Sequence, residues 1–289
     1  MRTNTDAAFA VEVPRGRVVG RVRMPESAPS GVVVIHPATA TPERFYAAFA
    51  GYATSRGLAA VTYDLHGTGA SGDPREHRGT RMRDWMSEDV PAVAAWTREQ
   101  FPGLPLSAVG HSIGGHAMVL GYGLEGVSRF ATVASHVAST RRIASLGERM
   151  RVAAILNVVG PGLSRALGYM PGRRLGLGED MPAAAMIEWG RWSRHDGYFF
   201  DDPTMGAAEA AARVTVPALM VGASDDPWAS PRQVDALAAR LESAAPERRT
   251  FTPDELGVAK VGHHGLLRRG VGERAWPELL DWLTDGRPA

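Results

Sequence analysis

Ser112 stands in the run Val109-Gly110-His111-Ser112-Ile113-Gly114-Gly115, a Gly-x-Ser-x-Gly turn between two apolar stretches. Leu106, Ala108 and Val109 suit a buried strand, and Ala117, Met118, Val119 and Leu120 suit the helix that follows. A serine in so sharp a turn is pushed out over the sheet, and small neighbours let strand and helix approach closely. The Ile113 N–H then opens a helix, so it can face a developing oxyanion. Together these features make Ser112 a candidate nucleophile. A bare turn of this kind also caps helices, so the decision rests on what else the chain supplies.

A serine hydroxyl needs a base, and Val261-Gly262-His263-His264-Gly265 offers one. It falls in a loop between an expected strand at 248–251 and a final helix at 273–283. His263, directly after Gly262, is the preferred base over His264. Adjacent histidines seldom point the same way and no His-x-x-x-His accompanies them, which argues against a metal pair. The acid lies after the apolar strand Val216-Pro217-Ala218-Leu219-Met220-Val221-Gly222, in Ser224-Asp225-Asp226-Pro227. A carboxylate there would hold the imidazole tautomer. Asp226 is favoured and Asp225 remains the alternative, the other aspartate capping a helix near Pro231. The strand Gly31-Val32-Val33-Val34-Ile35 ends in His36-Pro37-Ala38-Thr39. Pro37 has no N–H, so Ala38 or Thr39 must join Ile113 in an oxyanion hole.

Positioning such groups takes a strand–helix alternation. We expect an N-terminal hairpin over 11–24, strands at 31–36, 58–63, 106–111, 130–135, 216–221 and 248–252, and helices near 43–56, 84–100 and 231–242. That rhythm predicts an α/β fold with a mostly parallel central sheet covered on both faces. The core is assigned to 1–136 and 213–289. Residues 137–212 break the rhythm and are read as an inserted helical lid, with helical pieces at 140–150 and 183–194. Its aromatic residues Tyr169, Trp189, Trp192, Tyr198, Phe199 and Phe200 could pack among themselves or line an acyl pocket. Arg191 and Arg194 fit solvated positions better than an acid-binding role. His36, His111, Trp189, Trp192, Tyr198 and His264 are placed around the substrate pocket, although His36 suits a structural role better than that of a second base.

Composition narrows the class. The 289 residues carry 32 basic and 31 acidic side chains, without a polybasic run, so nothing points to nucleic acid or an anionic membrane. The basic residues are almost all arginine, Lys260 being the one lysine. No cysteine is present, which excludes disulfides, thiolate metal sites and a cysteine nucleophile and fits a cytoplasmic protein. Met1-Arg2-Thr3-Asn4-Thr5-Asp6 shows no signal-like apolar core, and no uncharged apolar run is long enough to span a bilayer. Gly67-Thr68-Gly69-Ala70-Ser71-Gly72 matches a dinucleotide fingerprint. It runs into Asp73-Pro74-Arg75 rather than a helix, so it reads as a tight connection.

With these pieces placed, the chain resembles the α/β-hydrolase superfamily over nearly its whole length, near the serine aminopeptidase and monoacylglycerol lipase branch. The resemblance rests on Tyr63-Asp64-Leu65-His66-Gly67-Thr68-Gly69-Ala70-Ser71, the serine turn, Glu188-Trp189-Gly190-Arg191-Trp192, Ser224-Asp225-Asp226-Pro227, and Leu256-Gly257-Val258-Ala259-Lys260-Val261-Gly262-His263. His66 stands where many relatives carry arginine, and His264 with Leu266-Leu267 replaces the usual bulky aromatics. Both departures are expected near the site. The resemblance implies a serine hydrolase for an ester, thioester or similar small acyl substrate, without cofactor or metal. An acyltransferase or cyclase with the same residues is the alternative, and a non-catalytic binding protein a more distant one. The oligomeric state stays open.

Overall fold

The structure, a computed structural model, describes residues 6–284. The expectation for the first five residues therefore lies outside the described residues, as do the outer ends of the two core segments. Among the described residues, ten strands run in chain order: β1 Asp6–Val13, β2 Gly16–Arg23, β3 Gly31–His36, β4 Leu58–Asp64, β5 Leu106–His111, β6 Val127–Val133, β7 Tyr169–Met170, β8 Met181–Pro182, β9 Ala218–Ala223 and β10 Glu247–Phe251. Eight form one sheet in the order β1-β2-β4-β3-β5-β6-β9-β10, and β7 pairs with β8 separately. In the large sheet β1, β2 and β4 pair antiparallel, and every later neighbouring pair in that order is parallel; β7 and β8 pair antiparallel.

Every residue of β3, β4, β5 and β9 is buried, as expected when helices cover both faces of a parallel sheet. The edge strand β1 instead alternates, and its Phe9 stacks on Trp96 with ring centroids 4.0 Å apart. Strand order reverses around β3 and β5, which opens a crevice beyond their carboxyl ends. The residues singled out for chemistry all leave from that end of the sheet.

The expected strands and the helices at Ala47–Ser55, Val90–Gln100 and Pro231–Ala238 appear with shifted ends. Two interruptions were not foreseen. Helices pass through a π turn at Trp85–Asp89 and another at Ile155–Val159. Pro91 and Pro161 each follow two residues later. A proline lacks the N–H for the bond to the carbonyl four residues back, and its ring collides with it. The preceding turn widens instead of breaking. Arg194 Nη2 then donates to the Asn157 carbonyl, 3.2 Å away. The second π turn makes one long rod of 146–167, where Gly160-Pro161-Gly162 reads as a breaker in sequence.

Residues between β6 and β9 form that rod and the helix Ala183–Ser193. The two approach closely because Gly190 faces the Leu156 carbonyl; a Cβ there would overlap it. Arg83 ties this insertion to the core. Its Nε donates to Glu188 Oε1 at 2.6 Å, its backbone N to Oε2 at 3.0 Å, and its Nη2 to Asp202 Oδ2 at 2.7 Å.

The glycine-rich run after β4 folds as a 3-10 turn, Gly69–Ser71, wrapped on the Asp64 carboxylate. Asp64 accepts from the N–H groups of Ala70 and Glu43. It is a packed connection. His66 is fully buried, bonded to Asp89 at 2.6 Å and Thr80 at 2.8 Å, so this departure from relatives serves the core and is not part of a substrate site.

Candidate active site

Ser112 has φ 51° and ψ −108°, a conformation that costs a non-glycine residue about 1–3 kcal/mol. Hydrogen bonds hold it there. Its N–H donates to the Val133 carbonyl at 2.9 Å, and its own carbonyl accepts from Ser135 Oγ at 2.8 Å and the His116 N–H at 3.0 Å. Gly114 lies against the His36 carbonyl, where no Cβ fits, so the helix starts directly on the sheet. The Ile113 N–H is in the first turn and the Ser112 side chain does not cap it.

Asp226 and His263 meet across the carboxyl end of β9. His263 Nδ1 lies 2.7 Å from Asp226 Oδ2. An ionised carboxylate only accepts, so Nδ1 carries the proton and Nε2 keeps a lone pair. Asp226 Oδ1 accepts from the N–H groups of Trp228 and Ala229 at 2.8 and 3.0 Å. Burial would raise the pKa of this carboxyl. The nearby His263 and these hydrogen bonds outweigh it and hold the group well below the usual carboxylate range. Asp225 has a different task. It accepts from the N–H groups of Val261 and Gly262, both at 2.9 Å, and so anchors the chain just before His263. The two aspartates thus hold different partners: Asp226 the imidazole, Asp225 the backbone before it. His263 sits on a short helical turn, Gly262–Gly265, rather than in an open loop.

A buried chain of hydrogen bonds links the two loops that flank the serine. The Ala38 N–H donates to the Tyr46 hydroxyl at 2.8 Å; that hydroxyl lies 2.9 Å from His111 Nδ1; His111 Nε2 lies 3.1 Å from the His263 carbonyl. A carbonyl only accepts, so Nε2 bears the proton of His111, Nδ1 accepts, and Tyr46 donates to it. Tyr46 and His111 are fully buried. Burial drives the His111 pKa down, helped by His264 and His263, and pushes Tyr46 up, so both stay neutral. The two residues expected to offer an N–H after β3 differ in this respect. Ala38 has committed its N–H to Tyr46, whereas Thr39 makes no backbone N–H bond with a described residue.

A cavity of about 490 Å³ lies over Ser112. His263, Thr39 and Ile113 line it with Ser112 on the core side, and Ile143, Val152, Ile155, Leu156, Met186 and Trp189 on the insertion side. Of the six residues expected around the substrate, Trp189, Tyr198 and His264 line the cavity. His36, His111 and Trp192 do not. His36 bonds Tyr63 at 2.8 Å beneath the serine helix, and burial lowers its pKa to about 3. His111 sits behind the wall in the chain just described. The Trp192 indole N–H donates to Asp202, and its ring packs on Tyr198 and Phe199. Strand alternation and helix face, invisible without the fold, turn these three rings away. Arg191 pairs with Asp202 and Arg194 with Asn157.

Sequence reasoning missed His116 and His136, which also line the cavity. Burial lowers them to about 3 and 4. His136 meets His263 edge-on at 5.6 Å. It follows β6 directly, and that position at the carboxyl end of a central strand was the available signal. Trp228 was missed too. Its indole N–H donates to Glu148 of the insertion at 2.8 Å, closing one side of the cavity. Among the described residues, no group of three or more His, Asp or Glu side chains could hold a metal ion, and no helix is long and apolar enough to cross a membrane.

The family model described as serine aminopeptidase, S33, matches residues 27–252. The chain belongs to this family. It is an α/β-hydrolase-type enzyme, and solved structures share its fold. A monoglyceride lipase from Saccharomyces cerevisiae, solved as a soluble variant with a substrate analogue, superposes with a TM-score of 0.68 at 13% identity, covering 100% of this chain and 97% of that one. The α/β hydrolase GrgF from Penicillium sp. sh18 gives 0.63 at 18% identity, covering 97% and 98%. The thioesterase domain from the curacin biosynthetic pathway gives 0.58 at 14%, covering 98% and 100%. No curated protein matches the sequence significantly. At these identities the superpositions speak to the fold, while the S33 match carries the hydrolase class.

Proposed function

We propose that this S33 hydrolase cleaves esters or thioesters of apolar acyl compounds through Ser112, His263 and Asp226. The observation that carries the reading is a strained serine and a carboxylate-paired imidazole lining one cavity. His263 Nε2 takes the Ser112 proton as Oγ attacks the acyl carbonyl. The Ile113 and Thr39 N–H groups face the oxygen as it gains charge. His263 returns the proton to the departing alkoxide or thiolate, and water then releases the acyl group by the same steps. Residues 137–212 act as the lid, supplying the apolar side of the pocket.

The family description mentions an aminopeptidase, which would need a carboxylate for the substrate ammonium. Among the described residues, Glu179 is the acid that lines the cavity. It is buried and already paired with Arg44 and Arg173. The predominantly apolar lining favours an acyl chain instead. A fluorophosphonate probe tests the reading: it labels the wild type and leaves Ser112→Ala untouched. Equal labelling of both proteins would sink it. The apolar wall also suits an acyl acceptor other than water, giving transfer or cyclisation. Product analysis with added alcohols and amines separates the two, transfer products marking the second outcome.

A further inference from the structure

Among the described residues, the exposed large apolar side chains are six, and all fall within 146–175: Leu146, Met150, Val158, Val159, Leu167 and Leu175, each 43–67% exposed. Along the rod of 146–167, Leu146, Met150, Ala154, Val158, Gly162 and Ala166 recur every fourth residue, and every one is exposed. A four-residue spacing drifts about 40° per step on a straight α-helix. The π turn at Ile155–Val159 takes in an extra residue and reverses part of that drift, keeping the stripe on one side. The opposite side of the same rod, at Val152 and Leu156, lines the cavity. The rod is therefore apolar on both faces, and only one is covered.

Charge says what covers the other. Residues 146–175 hold the arginines Arg149, Arg151, Arg165, Arg173 and Arg174 and one acid, Glu148; Arg173 pairs outside the segment with the buried Glu179, which leaves the excess positive charge with Arg149, Arg165 and Arg174. Glu148 is spent on Arg151, at 2.6–2.8 Å, and on Trp228. The arginines are too dispersed to form a basic run in sequence, so the chain's near-neutral total hides them. A second copy docking by the same face would set this positive surface against itself. An apolar stripe rimmed by arginine matches the boundary of an anionic bilayer, where acyl chains take the apolar residues and headgroups take the guanidinium groups.

We propose that the outer face of 146–175 docks onto anionic lipid surfaces, lying in the headgroup layer without crossing it. Arg151 belongs both to this face and to the cavity rim, so docking sets the cavity mouth at the lipid boundary.

Co-sedimentation of the full chain with vesicles tests this without any turnover. We expect binding to vesicles of equal parts phosphatidylcholine and phosphatidylglycerol, weakening as salt rises, and little binding to pure phosphatidylcholine. Met150→Glu with Val158→Glu should lower the partition at least tenfold. Arg165→Gln and Arg174→Gln should each lower it about fivefold on anionic vesicles only. Neither pair lines the cavity, so fluorophosphonate labelling, run alongside, should stay at the wild-type rate and shows that the variants are folded. Equal binding to both vesicle types, or to neither, would overturn the proposal. So would a dimer that the glutamate pair dissolves, which would mean that a second copy covers this face. If labelling fails throughout while vesicles still bind, the serine mechanism falls and the docking surface stands.

Discussion

The two walls of the cavity are built on opposite rules. On the core side, polar groups are closely partnered: Asp226 holds His263, Asp225 holds the chain before it, and Tyr46 and His111 join the loops on either side. On the insertion side, Ile143, Val152, Leu156, Met186 and Trp189 offer mainly apolar surface. On the proposed reading, directional bonds from the sheet would set the reaction class, and volume from the insertion the choice of substrate. Directional bonds tolerate little change, whereas apolar volume can be recut in small steps.

Substitutions on the core side should be the most damaging. Ser112→Ala should lower kcat for an activated ester by about 10⁴- to 10⁶-fold with little loss of folded protein; a residual rate above one per cent would break the contrast. Asp226→Asn should cost about 10⁴-fold through the wrong imidazole tautomer. Asp225→Asn touches no imidazole and should act chiefly on stability, by about 1–3 kcal/mol, as two N–H groups lose an ionic acceptor. If the kinetic effects of the two came out reversed, Asp225 would be the acid.

Acid should also attack the core side first. His36, His116, His136 and His264 are held near 3–4, by burial above all, and burial lowers His111 too. The unfolded chain takes up protons near pH 6.5 while the folded protein refuses them until about pH 4. Stability is therefore full above pH 6.5 and falls as pH drops from there towards 4, by up to about 1.4 kcal/mol per pH unit per histidine. Thermal melts between pH 7 and 4.5 check this; a flat Tm would show that the buried rings carry charge.

Smaller effects sharpen the other half of the comparison. Tyr46→Phe leaves the Ala38 N–H and His111 Nδ1 unpartnered, and should cost about 1–3 kcal/mol in Tm-derived stability, with a drop in kcat larger than any rise in KM. Leu156→Ala on the insertion side should leave the serine chemistry intact. It should shift the preferred acyl length upward, by about tenfold in relative kcat/KM across an ester series. An unchanged length profile would move specificity away from this wall.

Much of the core side was legible in sequence, because Ser112 and Asp226 follow recognisable strands within a few residues and His263 lies in the connection between the last strand and the last helix. Strand and helix types there announce themselves by local pattern. What stayed hidden depended on distant contacts or on backbone adjustment. His111 reads as a pocket residue until Tyr46 and the His263 carbonyl are seen to occupy its two nitrogens. Asp225 and Asp226 are neighbours in sequence, and only the return of 261–263 tells them apart. In the insertion, Gly160-Pro161-Gly162 hides a continuous helix because a π turn absorbs the proline. Trp192 and Trp189 look equivalent until the helix shows one to the cavity and the other to Asp202.

The single phenol at position 46 has a consequence for anyone who reshapes this enzyme. It couples a segment near the start of the chain to one near its end, so changes in either should be epistatic with residue 46. Loop libraries at 38–41 and at 261–264 are best screened jointly, since a gain found in one would be undone by a shift transmitted from the other.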